Sequence, residues 1–242
     1  MNSRFVRIVP TLTILGAVML VALLGAGCAG QSESESEEDQ GAIEGTSDSG
    51  GEPVLMLGRS VMWGWFKHWG WDGAVESLPI GKSGYSLTYG EMQEPPAIAD
   101  SAMEFMDEAP EGSIVFFKFC FVDFHGGEDS TFEDQKQWVE QVADKAEERD
   151  QLLIVGNALP KTDSETDAAL VAEHERFNEW LEDFASERDG KVWVYDFYGV
   201  LADSGGAIKG SYASASDDPH PNDEAYSELD PSLFDLLDEV AR

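Results

Sequence analysis

Basic residues are scarce in this chain: 15 Lys and Arg stand against 48 Asp and Glu in 242 residues, a formal charge of −33. Binding a phosphate backbone takes a basic stripe, so nucleic acid is excluded as a partner. Cysteine is scarcer still, with Cys28 and Cys120 alone. A single pair cannot staple a small disulfide scaffold or supply the usual zinc cluster, so a metal held through cysteine is excluded and no cofactor is expected. Internal repeats are lacking as well. Apolar material is not: 42% of residues are hydrophobic and 11% aromatic, with seven Trp, which is enough for a sizeable packed core.

The chain divides by composition into three parts. Arg4 and Arg7 precede the uncharged stretch from Ile8 to Leu24, and the small residues Gly25, Ala26 and Gly27 lead to Cys28. This pattern is that of an export signal. The run Leu24-Gly25-Ala26-Gly27-Cys28 resembles a bacterial lipoprotein cleavage site, with Gly25 where that family prefers Leu. The resemblance implies that residues 1–28 are a signal segment ending at Cys28, which would carry the lipid. An uncleaved membrane helix is the alternative, since Ile8 to Gly27 is long enough to span a bilayer. Either way the bulk of the protein is expected outside the cytoplasm, held at the membrane. Residues 29–53 are an acidic linker, eight acids with no Lys or Arg, expected to be solvated and self-repelling. Residues 54–242 carry 13 basic and 40 acidic residues and suit one soluble domain, expected to be a monomer; a saline habitat would give the same acidity.

Within that domain strands alternate with helices. Val54 to Leu57 is a short apolar run closed by Gly58, and the aromatic amphipathic stretch Val61 to Trp71 follows at once. Helices are predicted over Ala97 to Ala109, Thr131 to about Arg149 with Thr131 and Asp134 as a cap, Ser164 to about Ser186, and from near Pro221 to the C-terminus with an interruption at Pro231. Strands are predicted over Ser113 to Val122, Leu152 to Val155 and Lys191 to Tyr195. This alternation gives an α/β fold with a parallel sheet covered on both faces, whose chemistry lies beyond the carboxyl ends of the strands.

Two of those places hold reactive residues. Ser60 lies two residues past Gly58, where a strand-to-helix turn exposes a hydroxyl and aims backbone N–H groups at it. Near the other end, Asp217-Asp218-Pro219-His220-Pro221-Asn222 sets a carboxylate three residues before a histidine in a proline-constrained loop. Asp217 is expected to orient His220, and His220 to serve Ser60 as base; Asp218 is an adjacent competitor for the same role.

Gly58-Arg59-Ser60-Val61, the loop containing Gly84, and Asp217-x-x-His220-Pro-Asn together resemble the SGNH/GDSL hydrolases, over the whole of residues 54–242. The resemblance implies a flavodoxin-like three-layer α/β/α fold, a Ser60-His220-Asp217 triad acting on a small ester or an acylated glycan, and an oxyanion hole from the backbone N–H groups of Ser60 and Gly84. Two departures stand out. Arg59 replaces the acid of the family's Gly-Asp-Ser block. With Asp123 aligned on the third block, Val122 stands where an Asn would donate to the oxyanion, a loss that costs about 100- to 1000-fold in turnover. Lys118, Arg59 and Asn157 are candidate substitutes.

Each residue also has a plainer role. Ser60 is a good helix cap. His68 and His174 fall in helical stretches and are expected to be ordinary, partly exposed residues, and His125, near Asp123, Glu128 and Asp129, makes only a thin case for a divalent ion. Cys120 suits a buried apolar site. Trp65 and Trp69, four apart, are the natural core pair, whereas Trp63 or Trp71 is placed to line a cleft. Two functions therefore remain: an envelope-tethered serine esterase or its acyltransferase relative, and a tethered binding domain that kept the fold and lost efficient chemistry.

Overall fold

The computed structural model describes residues 50–127 and 129–242, with the side chains of 129 and 130 also outside the description. The signal segment, Cys28 and nearly all of the acidic linker lie outside the described residues. Among the described residues no helix is long and apolar enough to cross a membrane.

The described residues form eight strands and six helices, in chain order β1 (Glu52–Gly58), α1 (Ser60–His68), β2 (Ile80–Lys82), β3 (Tyr85–Glu91), α2 (Ile98–Glu108), β4 (Ile114–Lys118), α3 (Asp129–Glu148), β5 (Leu152–Gly156), α4 (Ala168–Ser186), β6 (Val192–Tyr195), α5 (Phe197–Leu201), β7 (Ala213–Ala215), β8 (Asp218–Pro221) and α6 (Asp223–Val240). The main sheet has the order β2-β3-β1-β4-β5-β6, parallel except for the short edge strand β2. From β1 the chain moves outward to β3, then crosses back over β1 to add β4 on the other side. The carboxyl ends of β1 and β4 thus flank the switch point, where a doubly wound sheet opens a crevice.

Side-chain alternation along the strands builds two cores. Val54 and Met56 of β1, with Ile114 and Phe116 of β4, face a layer of α1, α5 and α6; Leu55, Leu57, Val115 and Phe117 face α2, α3 and α4. Central strands buried on both faces explain why these stretches are continuous apolar runs. Trp65 and Trp69 form the expected pair, with ring centroids 5.4 Å apart. Both indoles donate to one carboxylate of α6, Asp230, at 2.8 and 2.9 Å, which fastens α1 to α6. Trp71 is buried in the same core and donates to the Ala74 carbonyl, so it lines no cleft.

Several boundaries differ from expectation for local reasons. The run from Ser113 to Val122 leaves the sheet after Lys118 and ends in a 3-10 turn, Phe121–Asp123. Helix α3 begins at Asp129, two residues before Thr131. Asp167 caps α4 by accepting from the N–H groups of Ala169 and Leu170, so that helix starts later than Ser164. Pro231 does not interrupt α6. A proline removes one helical hydrogen bond, and Leu229, Leu233 and Leu237 pack on both sides of it.

One buried group makes stability pH-dependent. His174, expected to be partly exposed, is fully buried between the rings of Phe124 and Tyr198, and among the described residues neither ring nitrogen has a hydrogen-bond partner. Burial, with a smaller contribution from Lys161, lowers its pKa to about 4. The unfolded chain binds this proton near the ordinary value of about 6.5 and the native protein does not, so native stability falls as pH drops between those values. The loss reaches about 3 kcal/mol at its limit. Urea denaturation at pH 7 and pH 4.5 is expected to show the loss, and His174→Phe to reduce it.

Candidate active site

Ser60 is the first residue of α1, directly after the turn that follows β1. Gly58 is needed in that turn, because a Cβ there would meet the Met62 side chain at 2.5 Å and Lys118 Cε at 3.3 Å. The first bond inside the helix runs from the Trp63 N–H to the Arg59 carbonyl, so the N–H groups of Ser60, Val61 and Met62 have no acceptor within α1. Ser60 is not the cap; the flanking residue is Arg59, with no side-chain cap. The Ser60 hydroxyl instead meets His220 Nε2, with Oγ and Nε2 2.8 Å apart.

His220 lies on β8, which pairs with β7 as a small antiparallel hairpin turned at Ser216 and Asp217. The acid at its other nitrogen is Asp218, whose Oδ1 lies 2.6 Å from Nδ1. This corrects the assignment of Asp217. On a strand, residues two apart share a face, so Asp218 and His220 point the same way, and Asp217 sits exposed in the turn. The same Asp218 oxygen accepts the His220 backbone N–H at 3.0 Å. That bond first and the imidazole second hold the Asp218 carboxyl below the usual carboxylate range. Asn222 secures the loop beneath, donating to the carbonyls of Ser211 and Ala213 while capping α6.

The loop after β4 supplies the third side of the site. Cys120 Sγ lies 3.9 Å from Ser60 Oγ, and the Phe121 ring meets the His220 ring edge-on at 4.9 Å. Cys120 is buried as expected, but in contact with the serine. Asp123 accepts the Cys120 N–H at 2.8 Å and pairs with Arg59 through the same oxygen. The Arg59 charge is therefore engaged in a nearly buried ion pair.

The Gly84 assignment does not hold. Gly84 is in the turn between β2 and β3, where its carbonyl accepts the Glu52 N–H, at the opposite end of β1 from Ser60 and about 20 Å away. The glycine at the carboxyl end of β3 is Gly90, opposite Leu57. Strand β3 is what the sequence missed: Tyr85-Ser-Leu-Thr-Tyr89 alternates with period 2, and that was the available signal. Asn157 is no oxyanion donor either, since its amide donates to Asp196 at 2.7 Å and accepts from the Tyr198 N–H. Val122 presents its side chain to solvent, 46% exposed. Lys118 is fully buried under the site. His125 donates its backbone N–H to Glu173, and among the described residues no three metal-ligating side chains converge.

One cavity is lined by the serine itself and another by its neighbour Arg59. The first, of about 450 Å³, is lined by Ser60, His220, Tyr226 and the 45%-exposed Trp63. Here Gly64 lets Tyr226 approach, as a Cβ would meet its hydroxyl at 2.3 Å. The other, about 480 Å³, is lined by Arg59, Val122, His125, Thr131, Asp134 and Trp138.

No family model and no curated protein matches the chain. Solved structures do. An acylhydrolase by assignment from Bacteroides fragilis matches with TM-score 0.58 at 20% identity, over 79% of this chain and 88% of its own. A GDSL-like lipase from Bacteroides thetaiotaomicron matches with TM-score 0.56 at 16% identity, over 78% and 88%. The chain has the SGNH/GDSL hydrolase fold. A carbohydrate acetylesterase from Sinorhizobium meliloti has it too, with TM-score 0.53 at 14% identity over 78% of this chain and 99% of that one. In this SGNH fold the strand order puts Ser60 and the β4 loop together, and the hairpin β7–β8 brings His220 to them.

Proposed function

We propose that the protein is an SGNH-type serine esterase that removes small acyl groups from an ester, such as an O-acylated glycan, at the cell envelope. The observation that carries this reading is the continuous chain of contacts Ser60 Oγ, His220 Nε2, His220 Nδ1 and Asp218 Oδ1, at 2.8 and 2.6 Å, facing a cavity. His220 takes the Ser60 proton as Oγ bonds to the carbonyl carbon, and returns it to the departing alkoxide when the C–O bond breaks. Water, deprotonated by His220, then attacks the acyl-serine, and the proton goes back to Ser60 as the carboxylic acid leaves. Asp218 fixes the tautomer and supports the imidazolium. The N–H groups of Ser60 and Val61 at the start of α1 are the nearest backbone donors for the oxyanion. Transfer to another alcohol uses the same residues with a different acceptor.

The exposed Trp63 beside the serine gives the alcohol part of the substrate an aromatic face. The export signal and Cys28 support placement as a lipoprotein outside the cytoplasm, with the acidic segment as spacer. The test is labelling of the full chain with a fluorophosphonate, together with turnover of p-nitrophenyl acetate and longer acyl esters. The expected result is stoichiometric labelling at Ser60 and turnover that declines with acyl length. A folded protein that is neither labelled nor active would instead favour a tethered binding domain.

A further inference from the structure

The carboxyl end of β4 places a second cation under the serine. Lys118 is the last residue of that strand, 1% exposed, with its Cε packed against Gly58 two residues before Ser60. Its ammonium donates to the carbonyl of Phe119, at 3.2 Å. The charged or titratable groups around it are Cys120, Asp123 and Arg59, all in the loops that form the site. Asp123 is 5% exposed and already paired with Arg59, which is itself 11% exposed. Among the described residues Arg59 Nε is buried without a partner, and the one further carboxylate on Arg59, Glu94 at 3.8 Å, is 84% exposed and screened by water. Among the described residues a buried cation, Lys118, and a nearly buried one, Arg59, thus share one buried carboxylate, a surplus of one positive charge, in a domain of 13 basic and 40 acidic residues.

A buried ion without a matching counter-ion is costly and persists only where something offsets it. Val122 stands where a side-chain amide was expected to donate to the oxyanion, and in the loop after β4 the Cys120 N–H is occupied by Asp123. We infer that the Lys118 ammonium, with Arg59 and Asp123 beneath the Ser60 turn, supplies through the field of its charge the oxyanion stabilisation that Val122 cannot. This rests on the esterase reading and goes beyond it in naming what replaces the missing donor. Lys118 does not touch the reacting atoms; its charge acts across the low-dielectric interior, and is already in place when the negative charge develops on the carbonyl oxygen.

The charge can be removed in two independent ways. Burial, offset in part by Cys120 and Asp123, lowers the Lys118 pKa to about 8. In the wild-type full chain, kcat for a p-nitrophenyl ester is expected to fall as pH rises through about 8, because the cation is lost there. Lys118→Met removes the charge at every pH: kcat is expected to drop about 10- to 100-fold at pH 7 with KM little changed, and the alkaline fall to disappear. A merely structural lysine would not carry that pH profile, and its replacement by Met is expected to raise the melting temperature. An active wild type with kcat flat from pH 7 to pH 10 overturns this inference and leaves the esterase reading standing. So does a folded Lys118→Met protein with wild-type kcat. An unlabelled, inactive wild type overturns both.

Discussion

Ser60→Ala is expected to reduce kcat for p-nitrophenyl acetate by about 10⁴- to 10⁶-fold, with the fold and melting temperature of the full chain preserved. The size follows from the loss of the covalent path: with no hydroxyl 2.8 Å from His220 Nε2, only direct attack by water remains. His220→Ala is expected to match it, because an unassisted serine hydroxyl is a weak nucleophile. Residues that act as one unit are not additive, so the double variant should be no slower than either single one. Steady-state kinetics of the three variants, with circular dichroism as the folding control, checks this. Loss in only one of the single variants would break the unit and remove the triad. Stability should change little, since Ser60 caps nothing.

Asp218→Asn separates the two candidate acids. An amide in place of the carboxylate no longer supports the imidazolium or the tautomer with hydrogen on Nδ1, a change worth up to about 10⁴-fold in kcat when the acid is buried. Here the Asp218 side chain is 45% exposed, and water partly replaces it, so a loss of about 10²- to 10⁴-fold is expected. Asp217→Asn should stay within about twofold of wild type, as for other exposed charges. The pH profile adds a second reading. In the wild type the carboxyl of Asp218 is held below the usual carboxylate range and stays ionised at neutral and mildly acid pH, so Asp218→Asn should lower kcat by the same factor throughout that range. Equal effects of the two substitutions would show that the hairpin does not fix the partner of His220.

Much of the architecture was legible because it follows from periodicity. The alternating apolar runs of β1, β4, β5 and β6, separated by amphipathic segments, specify a parallel sheet with helices on both faces, and a nucleophile after the first strand belongs at the carboxyl edge. The elements that escaped have weak local signals. Strand β3 is as long as β1 but half-polar, β2 is a three-residue edge, and β7 and β8 hold Ala, Ser, Asp, Pro and His, with no β-branched residue and no Phe, Tyr or Trp. Missing β3 displaced Gly84 to the site, since a glycine in a presumed loop carries no strand end to locate it. Missing the β7–β8 hairpin favoured Asp217, since a three-residue spacing suits a loop and a two-residue spacing suits a strand.

What the sequence determined by itself is therefore what local composition encodes: the acidic composition, the layered α/β arrangement and Ser60 at a strand-to-helix turn, with His220 as its partner only through the resemblance to the SGNH/GDSL hydrolases. What the tertiary structure decided is everything that depends on chain segments far apart. The pairing of Arg59 with Asp123, 64 residues on, turns a candidate oxyanion donor into part of a nearly buried charge cluster. Asp218 rather than Asp217 meets His220 because a hairpin sets its face, and Lys118 becomes a cation beneath the serine because the strand order puts β4 beside β1. Side-chain direction and burial arise only when distant strands come into register, and electrostatics depends on both.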